Sequence, residues 1–168
     1  MKKLYIDYYA LMNMAERGKH VVSLSKRLIR KLKPYCKRIK VAGSIRRKEK
    51  NPIDIDIVLI PKNREKLEKF MENKIKAKFV QGGEHESTWR LEGIKVELYY
   101  TIPEEFGAAL LAYSSEKGAG IGLRIVAKKK GFKLNNHGLF KGNRKIAGKT
   151  EREIYKALNR PYKEPWER

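Results

Sequence analysis

Cysteine, long apolar runs and acidic side chains are all scarce in this sequence. The single cysteine, Cys36, excludes an internal disulfide and cannot form a zinc site by itself. No segment approaches the roughly 18 to 20 apolar residues of a membrane-spanning helix. Asp7 and Asn13 interrupt the basic, signal-like N-terminus, and no small-residue cleavage site follows it. We therefore expect a soluble, cytoplasmic protein with no membrane partner.

The scarcity of acidic side chains leaves a large positive charge. The 168 residues contain 40 Lys and Arg against 19 Asp and Glu, which gives a formal net charge of +21. Such a charge repels itself unless a polyanion is near, and neutralising phosphates releases counterions that drive binding. A lysine-rich thermophilic composition would raise Lys and Glu together, so it does not explain the excess. The charge favours a nucleic acid as the partner.

The chain is long enough for one ordinary domain or for two small lobes that share a core. Hydrophobic residues make up 41% of it, which is enough for a packed interior. No repeat and no low-complexity linker divides it. Because the composition changes after Tyr100, we predict a lobe boundary at about residue 102, with one lobe over 1–102 and a C-terminal lobe over 103–168.

Hydrophobic periodicity predicts an α+β first lobe. A weakly helical pattern covers 4–17. In the helix predicted over 20–39, Leu24 and Leu28 lie on one apolar face, and Pro34 should end or kink the helix. The other predicted elements are strands at 39–42 and 53–60, a helix at 63–75, and strands at 78–81, 87–91 and 94–100.

The C-terminal lobe is predicted to combine helices with a small hairpin sheet. A helix at 103–113 precedes a second helix running toward Lys130, for which Ser114 or Ser115 is the expected N-cap. A hairpin sheet follows at 132–147. Thr150 to Glu153 form a capping box for a last helix that ends near Pro161.

Two aspartates stand inside an apolar strand, in the stretch VAGSIRRKEKNPIDIDIVLI (41–60). Residues two apart share a strand face, so Asp54 and Asp56 point to the same side. The alternating apolar residues from Ile53 to Leu59 should point to the other side, into the core. Neighbouring carboxylates repel each other and need a cation. Magnesium suits them, because it prefers oxygen ligands and accepts substrate phosphates.

A third carboxylate lies in the strand IKVELYY, where Glu97 alternates with apolar residues. If this strand lies beside the first, three carboxylates could hold two metal ions that clamp both oxygens of an in-line phosphoryl transfer. The alternative is that the carboxylates are solvated residues on an exposed strand face. The residues before Asp54 favour the metal site, because Gly43 and Ser44 form a turn suited to phosphate and two arginines follow them.

These motifs together resemble a known family. GSIRR followed by DIDIVLI resembles the nucleotidyltransferase signature of the family X DNA polymerases, the DNA polymerase beta-like group. LLAYSSEKGAGIGLRIVAKKKGFKLNNHGLF is similar to the thumb of that family, and TEREIYKALNRPYKEPWER to its C-terminal ending. The match covers about 38–168. It implies a nucleotidyltransferase palm with a mixed β-sheet and flanking helices, plus a small thumb lobe, with no room for the lyase domain of larger members.

The resemblance also implies residue roles. Asp54 and Asp56 would bind two Mg²⁺ ions (or Mn²⁺) and the triphosphate, while Glu97 would take the third carboxylate position and help to deprotonate the primer 3′-hydroxyl. The residues implied in nucleotide binding are Gly43, Ser44, Arg47 and Tyr113. The residues implied in DNA binding are Lys95, Arg124, Lys128, Asn135 and His137.

The expected function is therefore a monomeric DNA-directed DNA polymerase that transfers nucleotides from dNTPs to primer ends in short gaps of primer-template DNA. Two alternatives stay open: a nucleotidyltransferase that acts without a template or on RNA or protein, and a catalytically weak DNA-binding scaffold. The scaffold is motivated by two departures from the family. Glu97 stands where the family has aspartate, and Ser114-Ser115 replaces Thr-Gly after the aromatic residue near the sugar.

Overall fold

The computed structural model describes residues 12–168, so residues 4–11 of the first predicted helix lie outside it. In chain order the elements are α1 Met14–Leu32, β1 Cys36–Val41, α2 Gly43–Arg46, β2 Asp54–Pro61, α3 Arg64–Phe70, β3 Lys78–Gly82, β4 Glu86–Leu91, β5 Ile94–Tyr100, α4 Phe106–Ser114, α5 Lys117–Lys129, β6 Lys133–Asn135, β7 Gly138–Lys141, β8 Arg144–Ala147 and α6 Glu151–Ala157. No helix in this range is both long and apolar enough to cross a membrane.

Helix α1 is defined by its caps. The Asn13 side chain accepts from the Glu16 N–H at 3.0 Å, and the Glu16 carboxylate accepts from the Asn13 N–H at 3.1 Å, which closes a capping box. The helix ends two residues before Pro34, because proline has no N–H to donate to the Arg30 carbonyl, and a single 3-10 turn follows over Lys33–Tyr35. The prediction that it continues to residue 39 is therefore wrong, and β1 already begins at Cys36.

Five strands form a mixed sheet in the order β1-β2-β5-β4-β3, in which β2 and β5 run parallel and the other neighbours antiparallel. Helices α1 and α3 cover one face, where Ile55, Ile57 and Leu59 of β2 join the main core. Helix α4 packs on part of the other face, against Val58 and Ile60. The predicted α+β class with a mixed sheet and flanking helices is confirmed.

A two-residue turn joins β4 to β5. Glu92 and Gly93 both have positive φ, at 51° and 79°, which matches the twist required of a tight hairpin. Glycine adopts this conformation easily, whereas Glu92 is held there by an ion pair with Arg27 of α1, and its second carboxylate oxygen lies 3.1 Å from His20 Nε2. The turn pairs Leu91 with Ile94 and fixes the register of β5.

A second core lies in the C-terminal lobe, where α4, α5, the sheet β6-β7-β8 and α6 meet around Leu111, Leu139 and Ile154. Gly107 of α4 lies so close to the Thr150 backbone that a Cβ there would be 2.3 Å from the Thr150 Cα. The predicted hairpin sheet is confirmed, and Thr150 caps α6 by accepting from the Glu153 N–H. The boundary at residue 102 stays a prediction.

Three local predictions are wrong. Ser114 is a buried residue of α4, while Ser115 donates to the Leu111 carbonyl, so neither serine caps α5. Helix α6 ends at Ala157, four residues earlier than predicted. Ile53 does not point into the core but is 72% exposed, because β2 begins only at Asp54.

Candidate active site

The parallel pairing of β2 with β5 gathers the predicted carboxylates. In this register Asp54 lies opposite Lys95 and Asp56 lies opposite Glu97. Since Ile55 and Val96 are buried on the opposite side, the polar side chains of both strands share one sheet face. The structure thus brings Asp54, Asp56 and Glu97 together, as the alternation of the two strands predicted.

Electrostatic strain is concentrated at Asp56. Burial, together with the neighbouring Asp54 and Glu97, raises the pKa of this carboxyl to about 6. The Tyr99 hydroxyl opposes this shift by donating to Asp56 Oδ1 at 3.2 Å. The cluster therefore carries more negative charge than its protein neighbours neutralise, which is the condition for binding a cation.

Lys95 is the cation that the chain itself places here. Its Nζ lies 2.9 Å from Glu97 Oε2 and 3.8 Å from Asp54 Oδ2, and these contacts raise the pKa of the amine. Within residues 12–168, no three carboxylate, imidazole or thiol groups stand close enough together to enclose a metal ion as they are placed. The three carboxylates still offer only oxygen ligands, and that donor set fits a hard cation such as Mg²⁺.

Gly43 is in direct contact with this cluster. Its φ is +57°, and an added Cβ would lie 2.0 Å from Asp56 Oδ2. The Ala42 N–H also donates to the Asp56 carbonyl at 2.7 Å, which fixes the turn against β2. A glycine is therefore required at this position both by the backbone conformation and by the space that the Asp56 carboxylate occupies.

The remaining predicted phosphate ligands lie on the same turn. The Ser44 hydroxyl is buried and has no hydrogen-bond partner within the part of the chain that the structure describes. An unsatisfied buried hydroxyl is costly, so it marks a place where a ligand oxygen can bind. The guanidinium of Arg47 is directed to Glu49, with Nε 2.8 Å from Oε1, and could reach a phosphate only by leaving that carboxylate.

Tyr113, predicted to lie near the sugar, stacks on Tyr99. The ring centroids are 3.7 Å apart and the planes differ by 11°. Burial raises the pKa of both phenols, so each remains a neutral donor. Tyr99 therefore links the predicted sugar contact to Asp56. Our sequence interpretation missed this role, although alternation along β5 already placed Tyr99 on the face of Glu97.

Arg46 serves a structural purpose that the sequence analysis did not anticipate. Instead of facing phosphate, it donates to Ser114 Oγ at 2.9 Å and to both carboxylate oxygens of Glu151, at 2.9 and 2.7 Å. Arg168 donates to the same carboxylate at 2.8 Å. Burial alone would raise the pKa of Glu151, but the two arginines hold it below its usual range. This buried joint ties α2 to the C-terminal lobe.

The predicted DNA contacts fall into two groups. Arg124 and Lys128 are exposed and lie four residues apart, on one face of α5. By contrast, Asn135 accepts from the N–H groups of His137 and Gly138, and His137 Nδ1 lies 2.7 Å from Glu105 Oε2. These two residues therefore shape a turn, and only the α5 pair presents free cations.

Comparison with known proteins places the chain in a family. A family model described as DNA polymerase beta thumb matches residues 98–168. DNA polymerase IV of Saccharomyces cerevisiae is 42% identical over 62 residues, which cover 37% of this chain and 11% of the yeast protein. Repair DNA polymerase X of African swine fever virus is 31% identical over 148 residues, which cover 82% of this chain and 84% of the viral protein. The chain belongs to the family X DNA polymerases.

Membership in family X confirms the resemblance inferred from GSIRR, DIDIVLI and the thumb-like segment. It also establishes the chain as an enzyme of the DNA polymerase type. The α+β sheet and the helix–hairpin lobe agree with this membership. The metal ions and the roles of individual residues stay predictions.

Proposed function

We propose that this family X polymerase performs repair synthesis, in which a template directs the transfer of a nucleotide from a dNTP to a primer 3′-hydroxyl in a short DNA gap. The observation that carries the proposal is the register of β2 and β5, which sets Asp56 opposite Glu97. Beside them lies the Ser44 hydroxyl, which is buried and has no hydrogen-bond partner among residues 12–168. Carboxylates next to a phosphate-binding turn are what phosphoryl transfer needs for positioning and charge neutralisation.

Asp54, Asp56 and Glu97 would hold two Mg²⁺ ions, or Mn²⁺, which would neutralise the charge of the triphosphate. The residues of the chain would position the reactants around them. Ser44 and the backbone N–H groups of the turn at Gly43 would donate to the β- and γ-phosphates, together with Arg47 once it leaves Glu49. Tyr113 would lie against the sugar of the incoming nucleotide.

In the proposed reaction, the primer 3′-oxygen forms a bond to the α-phosphorus and the bond from that phosphorus to the leaving pyrophosphate breaks. Glu97 would help to remove the proton of the 3′-hydroxyl, and its ion pair with Lys95 must then be exchanged for other partners. Lys95 would contact the primer end, while Arg124 and Lys128 would hold the duplex through its phosphates.

The test is primer extension on four one-nucleotide-gap substrates that differ only in the template base, first with Mg²⁺ and then with Mn²⁺. We expect incorporation of the complementary nucleotide, and loss of incorporation by at least about a thousandfold in Asp56→Ala. Equal use of all four nucleotides would instead support transfer without a template. If wild type and variant both bind gapped DNA and neither extends it, the scaffold alternative, motivated by Glu97 and its ion pair with Lys95, replaces the proposal.

A further inference from the structure

One long stretch of the chain contains no acidic residue. Between Glu16 and Glu49 there are thirteen Lys and Arg and no Asp or Glu. The arginines at the end of this stretch belong to the turn beside the catalytic carboxylates. The cations at its beginning lie on α1, and the active site does not explain them.

These cations face away from the active site. Helix α1 packs its apolar side, including Leu24 and Leu28, against the sheet face of Ile55 and Ile57. Asp54 and Asp56 alternate with those isoleucines and so project from the opposite face. The solvent side of α1 is therefore separated from the catalytic carboxylates by the sheet and by the helix itself.

Three of the lysines line a common groove. Lys19 and Lys26, seven residues apart on α1, face Lys50 of the α2–β2 connection across an open groove of about 320 Å³. Val22 and Ser23 form part of its wall. Two helical turns separate Lys19 from Lys26, which is about 10.5 Å at 1.5 Å per residue. All three lysines are exposed, and none of them makes an ion pair with any residue in 12–168.

The groove is built by a close backbone contact. Gly18 is buried against the α2–β2 connection, and an added Cβ would lie 3.0 Å from the Asn51 Cα and 3.2 Å from the Lys50 carbonyl oxygen. This contact brings Lys50 next to α1. The clustering of three unpaired cations therefore depends on the fold and is not a chance feature of a lysine-rich surface.

The lining of the groove selects its ligand. Within residues 12–168 the lining contains lysine point charges and a serine hydroxyl but no aromatic ring on which unstacked bases could stack. It also lacks the apolar anchors of a helix that lies in a membrane surface. Lysines without base-reading groups bind the phosphate backbone irrespective of sequence.

We propose that the groove of Lys19, Lys26 and Lys50 is a second DNA-binding site, which holds the backbone of a duplex segment outside the active site. It extends the contact with long DNA, or joins two duplex segments, and leaves the chemical step unchanged. The proposal does not require that the active site polymerises, because binding at the groove is measured separately from incorporation.

The experiment compares Lys19→Gln/Lys26→Gln/Lys50→Gln with a matched triple variant at the other edge of the palm, Lys66→Gln/Lys74→Gln/Lys78→Gln. Each variant loses three exposed, unpaired charges. The active site of the full-length protein is first saturated with a short gapped hairpin. Binding of a second, fluorescent blunt duplex is then followed by anisotropy from low to moderate KCl, and single-turnover incorporation is measured in parallel.

We expect the wild type and the matched control to bind the second duplex. The groove variant should lose on the order of tenfold or more in affinity, with its salt dependence reduced by roughly two to three charges. Incorporation should be the same in all three proteins. Failure of the saturated wild type to bind a second duplex, or an equal loss in the control variant, would overturn the proposal. Stronger competition by duplex RNA than by duplex DNA would overturn the assignment of DNA as the ligand.

Discussion

Two clusters of buried charge in this enzyme are built on opposite principles. At the joint between the lobes, Glu151 receives hydrogen bonds from Arg46 and Arg168, and its pKa is held low. At the active site, Asp56 faces two further carboxylates and its pKa is raised to about 6. The charge of Glu151 is therefore paired within the fold, whereas the charge of the Asp56 cluster is only partly neutralised by the protein.

The largest effect should come from removing one unsatisfied charge. Asp56→Asn keeps the size of the side chain, yet it should lower incorporation by at least about a thousandfold. In EDTA at pH 7 the same variant should be more stable than the wild type, by on the order of 1–3 kcal/mol, because a carboxyl with a raised pKa destabilises the ionised folded state. Primer extension measures the first effect and thermal unfolding the second. A lower melting temperature for Asp56→Asn than for the wild type in EDTA would show that the Asp56 carboxylate stabilises the fold, as Glu151 is expected to do.

The pH dependence of that stability has a definite sign. Folded Asp56 binds its proton up to about pH 6, whereas an unfolded aspartate releases it near pH 4. The folded state thus holds more protons in this window, and the contribution of Asp56 to stability falls as the pH rises from about 4 to 6. In EDTA, the stability difference between Asp56→Asn and the wild type should therefore grow over this range and level off above it.

The joint should respond in the opposite direction. Glu151→Gln leaves Arg46 and Arg168 without their carboxylate, and we expect a loss of about 3 kcal/mol in the free energy of unfolding. Because the pKa of Glu151 is lowered, its stabilisation is present at neutral pH and is lost as the pH falls through the folded pKa. Urea unfolding provides the measurement, with Glu153→Gln, an exposed residue of the same helix, as the control. Equal urea midpoints for Glu151→Gln and Glu153→Gln would show that the contacts of Glu151 with the two arginines do not stabilise the fold.

A smaller effect should follow from a single added methyl group. Gly43→Ala would force its Cβ against the Asp56 carboxylate and displace it. We expect incorporation to fall on the order of a hundredfold, since small errors of position are costly. Gly83→Ala is the control, because within residues 12–168 no atom beyond its chain neighbours lies within 4 Å of a Cβ at that position. An unchanged single-turnover rate in Gly43→Ala would mean that the backbone of the turn shifts to make room for the methyl group without displacing Asp56.

The smallest effect should come from Tyr99→Phe, which removes the hydrogen bond to Asp56 and keeps the ring stacked on Tyr113. A neutral hydroxyl bonded to a carboxylate is worth roughly 1–2 kcal/mol, so kcat should fall about fivefold to thirtyfold. The KM for the nucleotide should stay unchanged, because the stack is retained. Tyr35→Phe is the control, because Tyr35 also stacks on an aromatic ring, that of Phe70, but on the other side of the sheet. A change in KM alone would place the role of Tyr99 at the sugar.

The sequence was sufficient where local rules decide the structure. Alternation along two strands predicted the shared face of Asp54, Asp56 and Glu97, and the register of β2 with β5 realises it. Ile53 fits the same alternation but lies just outside the strand, so a pattern without a defined strand end misplaced it. The partner of Arg46 could not be predicted, because Glu151 is 105 residues away and only tertiary packing selects it over phosphate.

The turn at Glu92 and Gly93 also limits how this enzyme can change its length. Side chains alternate along a strand with a period of two, so one residue inserted there would move Glu97 to the face of Ile55 and place Val96 among the aspartates. The length of the turn therefore determines which side chains of β5 face the active site, although none of the atoms of the turn needs to touch a substrate. An insertion in the β3–β4 connection at Gly83 would leave the pairing of β5 unchanged, although the Gly83 and Glu84 carbonyls accept hydrogen bonds from Arg64 and tie that connection to α3.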